Sequence, residues 1–142
     1  MSWPVMNPLS RYRLAKRTLA SANPPEWPKS IIPRQDAYWQ NEANMAEGNP
    51  LLALERGEQV LTPPAIWFQG RGDILHDYND EESDFPGNEP QRFAANYRKA
   101  GGEIALEYID MERHAGHAPD LSKSGDMFKR MAAFVRRHIR VD

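Results

Sequence analysis

The chain has 142 residues, with 18 basic against 20 acidic side chains and a net charge of −2. That length suits one domain, and without a basic excess neither nucleic acid nor an anionic membrane surface is expected as partner. Cysteine is absent, which excludes disulfides, thiolate metal sites and a cysteine nucleophile, and fits a reducing, cytoplasmic setting. No apolar run approaches the ~20 residues of a membrane span, and the N-terminus lacks the apolar core of a secretory signal.

Most of the twelve prolines fall before residue 65, so the first third reads as connections. Ser2-Trp3-Pro4-Val5-Met6-Asn7-Pro8 reads as the end of a short strand broken by Pro8. Asn23 to Pro33 reads as an extended loop, because each proline also pushes the residue before it out of the α region. Asp36 is an N-cap candidate for a helix over Ala37–Glu47, with Gly48 as its stop, and Leu51–Arg56 is one more helical turn ended by Gly57.

Regular α/β alternation is predicted from Val60. Ala65–Gln69 is a short apolar run without alternation, as in a parallel strand covered on both faces. An acidic, solvated loop follows from Ile74 to Glu89. Asn88 then caps a helix that has Pro90 in its first turn, stops at Gly101-Gly102, and carries Phe93, Ala94, Tyr97 and Ala100 on one stripe. Glu103–Asp110 alternates as a strand near a sheet edge. The last helix, from Ser124 as N-cap to about His138, presents Phe128, Met131, Ala132, Val135 and Ile139. Strand–helix–strand with short loops implies a βαβ crossover in a parallel sheet.

In such a sheet the carboxyl ends of the strands open onto a shared crevice. Asp73 follows the first strand through Gly70-Arg71-Gly72, and His114 and His117 follow the second. A carboxylate bonded to a histidine Nδ1–H fixes the ring so that Nε2 can take a proton from a serine hydroxyl. A plain turn carboxylate accounts for Asp73 equally well on spacing alone. His76 reads as solvated, and His138 as a surface residue at a helix end. Zinc held by His114, His117 and Asp120 with Asp73 is a weak reading, since Pro119 interrupts any rigid presentation. The Asp77–Glu81 run lacks the glycine and the closing glutamate of a calcium loop. No metal or cofactor is expected.

Pro63–Asp73, Arg92–Ile104 and the histidine segment with its final helix resemble the C-terminal part of alpha/beta-hydrolases, in the bacterial esterase/lipase-like branch that includes acetyl esterases and feruloyl-esterase-like enzymes. The opening Trp3-Pro4-Val5 to Arg13 resembles the strand and loop that follow the nucleophile-bearing half, and residues 34–58 the variable segment before the acid strand. The resemblance implies a partial alpha/beta-hydrolase fold in which the N-terminal half of the sheet is missing. Residues 1–62 would be a lid-like connecting segment, and 63–142 the strand–Asp–helix–strand–His–helix portion. It further implies Asp73 as triad acid, His114 as triad histidine with His117 in second place, and a small ester as substrate. Gly-x-Ser-x-Gly has no counterpart here, so the chain is expected to be inactive alone. Self-association through an open sheet edge is also expected. The alternative function is a non-catalytic α/β interaction or binding module.

Overall fold

The proline-rich first part of the chain is helical. In the computed structural model, which describes residues 6–109 and 125–139, α1 spans Pro8–Leu19, α2 Trp27–Trp39, α3 Glu42–Glu47 and α4 Pro50–Glu55. The cause is local: an asparagine followed by proline. Asn7 and Asn49 precede Pro8 and Pro50, and their side-chain oxygens accept the backbone N–H of Ser10 and Leu52. Proline loses nothing there, because the first N–H groups of a helix have no intrahelical partner and its fixed φ suits the helix.

Pro8 therefore opens a helix and does not break a strand. Residues 27–33, expected as extended chain, belong to α2, which has Pro28 in its first turn and Pro33 inside. The helix expected over Ala37–Glu47 is divided. α2 ends at Gln40, whose φ of 68° leaves the helical region, and Asn41 caps α3 by accepting from Asn44 N–H. Asp36 caps nothing and instead accepts from the Tyr12 hydroxyl at 2.6 Å. The stop at Gly48 and the helical turn before Gly57 stand as read.

β1 (Ala65–Gly70), α5 (Glu89–Lys99) and β2 (Ile104–Ile109) make a mixed α/β unit whose strands run parallel, Ala65 opposite Ile104 and Gly70 opposite Ile109. α5 opens on a capping box, in which Asn88 accepts from Gln91 N–H and the Gln91 side chain accepts from Asn88 N–H. Phe93, Ala94 and Tyr97 are buried, whereas Ala100 is exposed. They pack with Leu51, Leu54 and Ile104, and with partly buried Met6, Ala65, Trp67 and Leu106. Gly102 is required by this packing, since a Cβ there would collide with the Tyr97 ring.

α6 (Gly125–His138) covers the opposite face. Its Arg130 bonds Glu107, and His138 Nε2 lies 3.6 Å from Glu103, just before β2; these two positions alternate with the core-facing Ile104 and Leu106. Met127 is buried, and Met131, Phe134 and His138 follow it on the same face. The expected stripe is therefore displaced by about one residue, or ~100° of helix. Phe128, Val135 and Ile139 are 43%, 42% and 58% exposed. Arg130, which reaches β2, lies on one side of the buried face and Phe128 and Val135 on the other. The exposed flank thus overhangs β1, whose outer edge is unpaired in this sheet. His138 is not a free surface residue, as its Nδ1 is 3.1 Å from the Phe134 carbonyl and its side chain is 20% exposed. Ser124 lies outside the described residues.

A polar network joins the helical part to this unit. Asn7 Nδ2 donates to Glu89 at 2.7 Å, Asn49 donates to Asn7 Oδ1 at 2.7 Å, and Arg92 binds Glu89 at 3.0 Å. Arg92 also takes both oxygens of Glu55 at 2.7 Å and one of Asp80 at 3.1 Å. Asp80 is therefore a half-buried ion-pair partner, and the acidic loop is only partly solvated.

Candidate active site

Both strands end at one edge, because Gly70 stands opposite Ile109. Arg71 N–H donates to the Ile109 carbonyl at 3.0 Å, so the chain leaves β1 in register with the end of β2. Gly72 then turns at φ 66°, a left-handed conformation that costs glycine little, and delivers Asp73.

Asp73 is 8% exposed. Its Oδ1 accepts the Leu75 N–H at 3.1 Å, an Asx turn, and its carbonyl accepts His76 N–H at 2.9 Å and Asp77 N–H at 2.6 Å. Oδ2 meets His76 Nδ1 at 2.9 Å, with side-chain exposures of 17% for His76 and 12% for Asp73. His76 is thus not solvated, since the turn folds its ring back onto the carboxylate three residues earlier. The signal for this was present as Asp-x-x-His immediately after a Gly-turn, a spacing that one turn of chain closes.

His114, His117, Asp110 and Asp120 lie outside the described residues. Of the sequence-derived pair, the structure describes Asp73 alone. Among the described residues no group of three His, Asp or Glu side chains could hold a metal ion.

Around the turn, Asn88 Nδ2 donates to Asp77 at 2.6 Å and to the Tyr108 hydroxyl at 2.7 Å, and the Arg71 guanidinium lies over the Tyr108 ring at 5.4 Å. Burial pushes the Asp77 carboxyl above its ordinary range and raises the Tyr108 and Tyr78 phenols as well. A cavity of about 20 Å³ opens between α1 and the turn, lined by Met6, Asn7, Arg11, Trp67, Leu75, His76, Tyr78 and Glu89. Burial lowers the Arg11 guanidinium, against the pull of Tyr78 and Asp73. Sequence reading missed Arg11 altogether, because nothing in an Arg-rich helix distinguishes the one that turns inward.

Chemically, the site can hold an imidazole in a fixed orientation on a buried carboxylate. Among the described serines, Ser10 sits in the first turn of α1 and Ser83 in the acidic loop. No protein-family model, curated protein or solved structure matches the chain.

Proposed function

We propose that this chain supplies the acid–base pair of a serine-dependent carboxylic-ester hydrolase. Asp73 is the acid, His114 the base with His117 in second place, and the nucleophilic serine comes from polypeptide outside these 142 residues. A buried carboxylate at the shared carboxyl edge of two parallel strands carries this reading. His114 and His117 follow Ile109 by five and eight residues in sequence. The carboxylate orients the imidazole and stabilises its protonated form, while Nε2 takes the serine proton and returns it to the leaving alcohol.

The same reading gives a use to the open edge of β1. Its residues Ile66, Trp67 and Phe68 are apolar without charged gatekeepers, and the exposed flank of α6 overhangs that side. The occupant is a parallel strand of the nucleophile-bearing half, whose carboxyl end would arrive beside Asp73.

A specific observation favours a second reading. His76 already holds Asp73 at 2.9 Å, so the working pair is Asp73–His76, with the later histidines uninvolved.

The test joins this chain to the polypeptide encoded directly upstream and follows p-nitrophenyl acetate hydrolysis. The chain alone is expected to be inactive. In the joined protein, Asp73→Asn is expected to lower turnover by about 10⁴. His114→Gln or His117→Gln should match that loss while His76→Gln spares activity; the reverse pattern selects Asp73–His76. A joined protein that hydrolyses no ester, or a chain active by itself, removes the proposal.

A further inference from the structure

Arg11 lies one turn into α1 and lines the cavity together with His76. Its Nε–H is buried and has no hydrogen-bond partner. A guanidinium carries five donors in a planar fork, and one taken out of water is costly unless an acceptor meets it. The carboxylate in the cavity wall is no such acceptor. Glu89 gives one oxygen to Asn7 at 2.7 Å and the other to Arg92 at 3.0 Å. Ser10, the neighbouring residue, is turned toward the Tyr78 hydroxyl and not toward Arg11 as an acceptor.

We infer that this cavity takes a carboxylate group, held by the Arg11 fork between His76 and the apolar wall of Trp67 and Leu75. Three properties select a carboxylate. The guanidinium fork matches its two oxygens in one plane. A cavity of about 20 Å³, where one water needs roughly 10–15 Å³, has room for that flat head. Glu89 in the wall and Asp73 near Arg11 already bring negative charge, which repels a dianion more than a monoanion. Resting on the esterase reading, this makes the substrate a half-ester, in which the carbonyl attacked near Asp73 is tethered to a free carboxylate seated at Arg11.

The experiment uses the whole chain and does not require turnover. The nitrogen and proton resonances of the Arg11 Nε–H group are followed during titration with monomethyl succinate, dimethyl succinate and inorganic phosphate. Monomethyl succinate is expected to produce a saturable shift and dimethyl succinate none. Arg11→Gln should weaken monomethyl succinate by about tenfold or more, and Arg11→Lys, which keeps the charge and loses the fork, by a smaller factor. Equal response to the neutral diester, no saturable shift, or full binding by Arg11→Gln overturns the site. Phosphate binding as tight as the half-ester overturns its assignment to a carboxylate. If Arg11→Gln does not fold, the comparison of half-ester with diester on the unaltered chain still decides. Lost binding with ester hydrolysis intact in the joined protein counts against the cavity alone. Intact binding without hydrolysis counts against the esterase reading alone.

Discussion

α5 and α6 flank the same two strands and are both amphipathic, yet they are used differently. α5 places Phe93, Ala94 and Tyr97 against α4 and the sheet, and its charged side chains are tied inward, with Arg92 bound to Glu55, Asp80 and Glu89. α6 buries a narrower line through Met127 and leaves a second apolar line at the surface; its Arg130–Glu107 pair is solvated. A helix in a finished α/β layer buries one stripe of ~100° or more. α5 has reached that state. The difference shows that one face of the two-stranded sheet is covered by a full apolar stripe and the other by a narrower one.

The largest expected effect lies on the α5 side. Phe93→Ala removes a ring that meets Trp67 edge-on at 5.7 Å and Tyr97 at 5.8 Å inside the main core. It should cost about 3–5 kcal/mol in urea denaturation, at or near the whole stability of a small domain. A loss below about 1 kcal/mol would mean that the α5 layer collapses around the gap and is no better packed than α6.

How far the chain could be read from its residues follows the same division. The Asn88–Pro90 start of α5 was legible because cap, proline and apolar period agree. The same signal at Asn7-Pro8 and Asn49-Pro50 was obscured by the surrounding prolines, which suggested loops, although each proline occupies a position where a helix has no hydrogen bond to lose. Pro33 inside α2 is tolerated by tertiary context that no local rule contains. At the site, Asp73 could be placed from the Gly-turn after an apolar strand. His76 was legible in the Asp-x-x-His spacing, whereas Arg11 was not, because its role arises from a helix docking across the turn. The α6 stripe was misjudged because two apolar lines lie about one residue apart, and the sheet partners Glu103 and Glu107 decide which of them faces inward.

An intermediate effect belongs to Glu89, which is 6% exposed at the start of α5. Burial raises its carboxyl above the ordinary 4.5, against the pull of the Asn7 and Arg92 hydrogen bonds. The folded chain therefore holds this proton more tightly than the unfolded chain. Its contribution to stability is fully present below 4.5 and declines as pH rises through the folded value. Glu89→Gln keeps the size and an acceptor for Asn7, so it should flatten that decline while changing stability at low pH by only about 1 kcal/mol. Urea midpoints measured from about pH 4.5 to neutrality read the difference in slope directly. An unchanged slope would transfer the effect to Asp77, the other carboxyl among the described residues raised chiefly by burial.

The smallest effect is the sharpest test of the comparison. Phe128 is as large as Phe93 but 43% exposed, on the α6 flank that overhangs the open edge of β1. Phe128→Ser should change the stability of the chain alone by no more than about 0.5 kcal/mol, since little apolar area returns to water. In the protein joined to its upstream polypeptide, a strand paired on β1 would lie beneath this ring, and the same substitution should then cost about 1–3 kcal/mol. The contrast between the two measurements matters more than either value. Equal small losses would mean that α6 presents an ordinary exposed face and that no strand is seated there, whereas a large loss in the chain alone would show the ring to be packed already and the two helices to be alike.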